Sequence, residues 1–229
     1  MPSQPASLFP RATDDPPHLQ PALRARAAHR RGAGSPLTAP SLVAFQGESG
    51  AFSEAAAEEL VPSPHALMPC ATFDDVARAV VNGHADYGVL PVENLIAGPV
   101  HAALDALARF DSLERVREHT LPVRLALLGL PGATVQGIRQ VLSHPVALKQ
   151  CTKWLWAHRL VTAVEAHDTA GAARMVGIRR DPAVAAIAAA WAAAHYGLVV
   201  LAEGLEDRPD NATRFVLVRR KRMSADGMP

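Results

Sequence analysis

Cysteine is scarce in this sequence, with two among 229 residues. Cys70 and Cys151 lie far apart and form no C-x-x-C motif, so we expect neither a disulfide framework nor a zinc site, and a reducing cytoplasm is the natural compartment. Lys and Arg number 23 against 22 Asp and Glu, which excludes the strong field that gathers nucleic acid or anionic membranes. No apolar run approaches the ~20 residues that span a bilayer. We therefore expect a soluble cytoplasmic protein without nucleic-acid or membrane partners.

Common catalytic and cofactor motifs are also missing. Ser143 and His144 are adjacent in sequence, and a catalytic Ser–His pair needs side chains that face each other across the fold. The sequence has no H-E-x-x-H motif, no Walker loop and no complete G-x-G-x-x-G, and the G-x-x-G at Gly47–Gly50 is weak evidence for a nucleotide. We predict neither a metal nor a cofactor.

The composition divides the chain into three parts. Residues 1–40 contain eight prolines, five arginines and two acids without apolar periodicity, which predicts a disordered extension. Asp14 and Asp15 argue against reading this extension as a transit peptide. Residues 41–220 carry the periodic apolar patterns of an ordered domain, and residues 221–229 are predicted to be a solvated tail.

Apolar runs alternate with helical segments from Ser41 onward, which predicts an α/β fold with a largely parallel sheet. One helix is predicted after Thr72 as N-cap, ending at Gly83, and another begins near Asp168 or Thr169. The segment 144–158 is predicted to be a single helix, and a longer helix is predicted from Asp181 to Gly197. The predicted strands include 42–46, 86–92, 123–129, 140–143, 161–166, 198–202 and 213–220, and a further helix is predicted at 52–60.

Five segments concentrate small and polar residues at strand ends and helix starts: 47–53, 91–98, 143–145, 168–173 and 210–215. Several of them open helices, whose free N–H groups and positive dipole end favour anions. Each segment alone is explained by a turn or a cap. Together they indicate a pocket for a small, oxygen-rich acid.

Taken in order, these segments resemble the prephenate dehydratase family, which includes the arogenate dehydratases. The resemblance rests on "VAFQGESGAFSEAA", "YGVLPVENLIAGPV", "VLSHPVALKQC", "DTAGAAR" and the stretch ending in "DNATRF", and it covers about residues 42–218. It implies a fold like the type 2 periplasmic binding proteins, with one lobe of about 42–117 and 198–220, a second of about 118–197, and an active site in the cleft between them. It also implies a homodimer or homotetramer. The family's usual C-terminal ACT domain, which binds phenylalanine, is expected to be absent, so phenylalanine inhibition through it is not expected.

The resemblance implies a role for each matched residue. Thr213 would help the hydroxide of prephenate to leave, as a hydrogen-bond donor rather than a strong acid. Arg214 would bind a substrate carboxylate, and Phe215 would form a wall of the pocket. The other residues carried over as substrate-binding are Glu93, Asn94, Leu95, Ser49, Gly50, Ala51, Asp168, Thr169, Ala170 and Gly171.

Two positions depart from the family pattern, and they leave the function open. Leu95 stands where the family usually has Ser, which removes a hydroxyl expected to bond the substrate. Ala172 stands where many prephenate-preferring members have Ser, which resembles the branch that includes arogenate enzymes. Two reactions therefore remain open as the function: dehydration of prephenate to phenylpyruvate and dehydration of arogenate to phenylalanine. Two further hypotheses also remain open. The chain is a non-catalytic binding module for a small acid, or, because of Leu95, a degenerate family member with little activity.

Overall fold

A computed structural model describes residues 41–221. The extension predicted to be disordered and the tail after residue 221 lie outside the described residues. The strands are β1 Ser41–Gln46, β2 His65–Cys70, β3 Tyr87–Asn94, β4 Gly98–Pro99, β5 Leu113–Pro122, β6 Ala126–Gly129, β7 Gln140–Ser143, β8 Thr162–Glu165, β9 Val184–Ala188, β10 Val199–Ala202 and β11 Ala212–Arg220. The helices are α1 Phe52–Leu60, α2 Phe73–Val81, α3 His101–Ala108, α4 Pro145–Lys149, α5 Thr152–Ala157, α6 Thr169–Arg179 and α7 Ala192–Tyr196.

The strands form two separate sheets, as the predicted two-lobed α/β fold requires. The first has the order β2-β1-β3-β11-β5, with β4 paired to β3, and the second has the order β10-β6-β9-β7-β8. Both sheets are mixed rather than largely parallel. In the first, β11 lies antiparallel between β3 and β5, and in the second β6 runs antiparallel to β9 and β10. β11 enters the first sheet from the second lobe, and its direction places the N-terminal end of β11 beside the C-terminal end of β3.

The chain crosses between the sheets twice, later than the sequence suggests. β5 continues to Pro122 in the first sheet, and β10 remains in the second, so the expected boundaries near residues 117 and 198 need correction. The crossings are residues 123–125 and 203–211, and they bond to each other: Val123 N–H donates to Asn211 O at 2.9 Å and Leu205 N–H to Leu125 O at 3.0 Å. Their pairing forms a two-stranded connection between the lobes.

The predicted long helix from Asp181 to Gly197 is wrong. Its first half is β9, a strand in the interior of the second sheet whose five residues are all buried, and only Ala192–Tyr196 is helical. Alanine favours helices, but tertiary packing overrides this preference because small side chains let other elements pack closely on both faces of β9. The end of the element is confirmed, since Gly197 takes a left-handed conformation with φ of 65°.

The single helix predicted over 144–158 is divided into α4 and α5. The Gln150 carbonyl accepts the Asp207 backbone N–H at 2.6 Å, and the Asp207 carboxylate accepts the N–H groups of Thr152 at 3.0 Å and Lys153 at 2.8 Å. A side chain from the second crossing therefore caps a new helix at Thr152. The break brings Gln150 to the edge of the first lobe.

Helix α2 starts as predicted, with Thr72 as its N-cap. The Thr72 hydroxyl accepts the Asp75 N–H, and the Asp75 carboxylate accepts the Thr72 N–H, both at 3.1 Å. This reciprocal capping box satisfies two of the backbone donors that a helix start leaves unpaired.

We predict that Thr72→Ala lowers the free energy of unfolding by about 1 kcal/mol, because the start of α2 loses its acceptor. Urea denaturation of the full chain measures the change. Thr72→Ser is the matched control and should retain most of the stability, since it keeps the hydroxyl. Equal losses in both variants would show that the methyl group, and not the cap, carries the effect.

Candidate active site

The Asn94 side chain lies at the centre of a buried polar cluster where β3 ends. Its Oδ1 accepts two backbone N–H groups, from Ile96 at 3.1 Å and Ala97 at 2.8 Å, which fixes the orientation of the amide. Its Nδ2 donates to Asn211 Oδ1 and Thr213 Oγ1, both at 2.9 Å, and to the Ala212 carbonyl at 3.2 Å. Antiparallel pairing of Thr213 with Asn94 explains this meeting of residues that are 119 positions apart.

The contact with Asn94 determines whether the Thr213 hydroxyl accepts or donates a hydrogen bond within the cluster. Its oxygen is occupied as an acceptor, so its proton points elsewhere, and no acceptor for that proton is found within residues 41–221. Thr213 is buried, and the register of β11 against β3 shifts just after Arg214. Such bulges often re-aim side chains next to active sites. The cluster therefore presents a threonine donor whose oxygen is held in place.

The second lobe reaches this cluster through Gln150, whose Nε2 donates to Asn94 Oδ1 at 3.4 Å. Neither Gln150 nor Asn211 was predicted as a site residue from the sequence. Gln150 lies inside a segment predicted to be continuous helix, where a polar residue is unremarkable. Asn211 stands in "DNATRF" and reads as a turn residue. Both lie in stretches that carry the family resemblance, but neither was assigned a role, because their contacts with Asn94 depend on tertiary structure.

Arg214 points away from Thr213, because neighbouring residues of a strand face opposite sides of the sheet. Its guanidinium bonds Glu93 at 2.9 Å and Glu118 at 3.1 Å, and these bonds, the one to Glu93 first, raise the pKa of Arg214 above its already high ordinary value. The guanidinium thus joins β3, β11 and β5 rather than facing the Asn94 cluster. Glu93 is its partner and likewise lies on that face.

Phe215 also lies away from solvent. It is 2% exposed and packs in the core of the first lobe with Val43, Ala57 and Leu60. This burial does not fit the predicted role of Phe215 as a pocket wall. Its ring instead anchors β11 beneath helix α1, which fixes the strand that carries Thr213.

The glycine loop after β1 is held by aromatic side chains of the second lobe. Trp191 Nε1 donates to the Gly50 carbonyl at 3.0 Å, and the Tyr196 hydroxyl donates to the Ser49 carbonyl at 2.7 Å. Burial, followed by the charge of Glu48, raises the pKa of Tyr196 to about 12, so this donor keeps its proton. A side chain at Gly50, which has φ of +90°, would approach Ala192 to 2.9 Å. The close approach of the lobes requires glycine there.

Two N–H groups at the end of this loop already have hydrogen-bond partners. Gly50 N–H donates to Glu54 Oε2 at 2.5 Å, and Ala51 N–H donates to the Glu48 carbonyl at 3.1 Å. An anion bound by these two N–H groups would have to displace their partners. The glycine loop, which was predicted to contribute to the acid pocket, therefore forms a contact between the two lobes in this conformation.

The D-T-A-G segment of the second lobe meets the same loop. Asp168 is confirmed as the N-cap of α6, because its carboxylate accepts the Gly171 N–H at 2.6 Å. Ala170 is buried against Phe45 and Ala51 of the first lobe, whereas Thr169, the first residue of α6, is half-exposed. The structure thus brings two of the predicted segments together across the lobes. A half-exposed ion pair of Glu48 with Arg174 at 3.2 Å lies along this contact.

Leu95 follows Asn94 directly, and its side chain is 61% exposed. Its backbone N–H donates to the Ala212 carbonyl at 2.9 Å, which continues the pairing of β3 with β11. The backbone at this position is therefore committed to the sheet. Substitution of the family's usual Ser by Leu places an apolar side chain beside the polar cluster and leaves the cluster intact.

Other chemistry has little support in the described part of the chain. No group of His, Cys, Asp and Glu there could hold a metal ion. Burial, and then nearby carboxylates, raises the pKa of each buried thiol, Cys70 and Cys151, to about 12, so both are inert as nucleophiles at neutral pH. The Ser143 hydroxyl is fully buried and donates to the Ile187 carbonyl. Across residues 41–221, no helix is long and apolar enough to cross a membrane.

His144 is a titratable group in the segment that joins β7 to α4. Its Nδ1 accepts the Val146 N–H at 3.2 Å, a bond that requires the neutral ring. Burial lowers its pKa, and His167 adds to this, while Asp168 and Glu165 oppose it. The folded protein therefore binds this proton more weakly than the unfolded chain does. Stability from His144 is full above the unfolded pKa of about 6.5 and is lost as the pH falls towards the lower folded pKa.

We predict that His144→Asn reduces the fall in Tm between about pH 7.5 and pH 5.5, because Asn keeps an acceptor for the start of α4 but does not titrate. Thermal unfolding across this range measures the effect. Replacement of the exposed His101 by Asn is the control and should leave the pH dependence as it is in the native chain. The same fall in Tm for His144→Asn and the native chain would contradict the prediction.

The two mixed sheets, the paired crossings and the polar cluster at one sheet edge define a two-lobed α/β protein of the periplasmic-binding-protein type. The profile of the prephenate dehydratase family matches residues 43–223. The chain belongs to this family.

Individual relatives agree with this assignment. The chain is 44% identical over 180 residues to arogenate dehydratase 1 of Petunia hybrida, covering 78% of this chain and 42% of that protein. It superposes on the prephenate dehydratase of Arthrobacter aurescens solved with L-Phe, with a TM-score of 0.72, 34% identity and coverage of 80% and 61% of the two chains. A chain described as GqqA, a novel type of quorum quenching acylase, gives a TM-score of 0.69 at 36% identity, with coverage of 80% and 65%. The chain thus spans less than half the length of the curated relative.

Proposed function

We propose that this chain catalyses the decarboxylating dehydration of prephenate to phenylpyruvate, with arogenate as the alternative substrate. The observation that carries the proposal is the Thr213 hydroxyl, whose oxygen is held by Asn94 and whose proton has no acceptor within residues 41–221. A family member with a positioned donor at the edge between two lobes suits a reaction in which an oxygen must leave.

The reaction requires one proton at the leaving oxygen. The bond between the ring and its carboxylate breaks to release carbon dioxide, the electron pair moves into the ring, and the ring hydroxyl leaves as water after gaining a proton. Thr213 would donate a hydrogen bond to this oxygen and pass its proton on, regaining one from solvent. Help of this kind contributes ~10²–10⁴-fold to a rate. Aromatisation of the ring supplies the driving force.

The remaining site residues fall into groups according to what their side chains contact. Asn94 holds Thr213, and Gln150 reaches it from the second lobe. We propose that Ser49, Gly50, Ala51, Asp168, Thr169, Ala170 and Gly171 shape the cleft where the lobes meet, with substrate contacts formed when the lobes separate. Arg214, Glu93 and Phe215 act through the strand: the two ionic contacts and the buried ring hold β11 in place.

An acylase reaction is the function suggested by the GqqA comparison, and the described chemistry does not favour it. A covalent acyl transfer needs an activated nucleophile, whereas both thiols have pKa values of about 12 and the Ser143 hydroxyl is bonded and buried. A pure binding module would need no free threonine donor beside a polar cluster. Dehydration therefore remains the better-supported function.

We also propose that the protein is cytoplasmic and forms a homodimer or homotetramer. Large apolar side chains on the surface of the second lobe support the assembly, since Trp156 is 71% and Leu160 80% exposed. Light scattering of the purified chain measures its mass. A single-chain mass at all concentrations would contradict the assembly.

We predict that Thr213→Ala lowers the kcat for prephenate by at least ~100-fold, because the leaving oxygen loses its donor, whereas Thr213→Ser keeps part of the rate. Phenylpyruvate from prephenate and phenylalanine from arogenate are measured in parallel with the native chain. The faster substrate identifies the preference. Native-like turnover in Thr213→Ala would disprove the role of Thr213.

Inactivity of the native chain towards both acids would disprove the dehydratase proposal for this chain. The Leu95→Ser variant then distinguishes between two explanations of this inactivity. Recovery of turnover on restoring the hydroxyl would show that activity was lost at this position, and continued inactivity would favour the binding module.

A further inference from the structure

Asn211 carries a buried hydrogen-bond donor that has no partner. Its side chain is 1% exposed, and Nδ2 forms no hydrogen bond within residues 41–221. Buried amide groups are nearly always paired, because an unpaired donor loses its bonds to water and gains nothing. The unpaired Nδ2 therefore calls for a physical explanation.

The identity of this atom as nitrogen follows from the network around it. The N–H groups of Ile96 and Ala97 both donate to one end of the Asn94 amide, which must be its oxygen. The other end is then the donor Nδ2, and it faces Asn211 at 2.9 Å. Asn211 has to offer its oxygen to that donor, which leaves its own Nδ2 unpaired.

The position of Asn211 links the unpaired donor to the site. Asn211 Oδ1 and Thr213 Oγ1 both lie 2.9 Å from the same nitrogen of Asn94. Its backbone carbonyl accepts the Val123 N–H where the two crossings pair. The Gln150 side chain of the second lobe covers this cluster with a 3.4 Å contact to Asn94. Because this contact is long, we expect a ligand that enters between the lobes to replace it beside Asn211.

We propose that Asn211 is a second substrate-contacting residue, whose Nδ2 donates a hydrogen bond to the leaving oxygen together with Thr213. The inference rests on the proposed dehydration and deepens it. An NH₂ group can pair only with an acceptor, such as a hydroxyl or carboxylate oxygen, and not with an ammonium. Prephenate and arogenate share the leaving hydroxyl, so Asn211 serves both alike, and the choice between them lies elsewhere in the cleft.

This role makes activity and stability respond differently to the same substitution. Asn211→Leu removes the unpaired donor from the free protein, and Asn94 Nδ2 keeps two acceptors, Thr213 Oγ1 and the Ala212 carbonyl. We therefore expect an unchanged or higher Tm. The leaving oxygen loses one donor, and we expect kcat to fall ~10–100-fold for whichever acid the native chain turns over, with a smaller change in KM.

The experiment measures kcat, KM and Tm for the native chain, Asn211→Leu and Asn211→Asp. Asp keeps an oxygen for Asn94 but lacks the NH₂ group, so it should lose activity as Leu does and recover none of it. Lost kcat with preserved Tm in Asn211→Leu supports the proposal. Native-like kcat in either variant would overturn it, as would a loss of kcat and Tm together in both.

A separate binding measurement distinguishes this inference from the dehydratase proposal. The rise in Tm caused by prephenate is measured in Thr213→Ala, which slows turnover, with and without Asn211→Leu. Inactivity of the native chain would disprove dehydration, but a prephenate-induced rise that Asn211→Leu reduces would still support Asn211 as a ligand contact. Inactivity together with no rise in Tm would overturn both.

Discussion

The side-chain amide of Asn94 is the interaction on which the site depends. One amide accepts two backbone N–H groups of the turn after β3 and donates to the start of β11, so it joins segments more than a hundred residues apart. A neutral amide can do this because it carries acceptors on one end and donors on the other. A carboxylate could not donate to the Thr213 oxygen, and an apolar residue would leave the turn unpaired. The orientation of Thr213 follows directly from this requirement.

The surrounding fold keeps this small network in register. β11 is fixed on one face by the buried Phe215 ring and on the other by the Arg214 ion pairs with Glu93 and Glu118. The two crossings bond to each other just before β11 begins, which places the connection between the lobes beside Asn211. Farther along the cleft, Trp191 and Tyr196 hold the glycine loop of the first lobe. Residues near the chemistry and residues that hold the lobes together are therefore largely separate sets.

Much of this organisation was predictable from the sequence because it is local. The cap at Thr72, the cap at Asp168 and the strand at 42–46 follow from neighbouring residues, and the structure confirms each one. The alanine-rich segment at 183–194 misled the prediction because helix propensity yielded to burial in the sheet. The break at Gln150 depends on Asp207, and no local pattern indicates a cap on Thr152 from a side chain 55 residues away. Strand β5 and the roles of Gln150 and Asn211 likewise depend on tertiary contacts.

Family resemblance supplied Thr213 and Asn94, but it could not tell which face of the strand each motif residue occupies. Alternation along β11 separates Thr213 from Arg214: Thr213 contacts the Asn94 amide, Arg214 bonds Glu93 and Glu118, and Phe215 packs in the core. Under the proposed function, the choice between prephenate and arogenate is not resolved by motif matching.

A double-mutant cycle between Asn94 and Thr213 tests the central claim most directly, that Asn94 acts by orienting the Thr213 hydroxyl. The kcat is measured for Asn94→Ala, Thr213→Val and the double variant, with circular dichroism to check that each is folded. We expect Asn94→Ala to lower kcat strongly in the native background and to have almost no further effect once Thr213 is Val, because the two residues act as a unit. Independent effects that multiply in the double variant would contradict the claim.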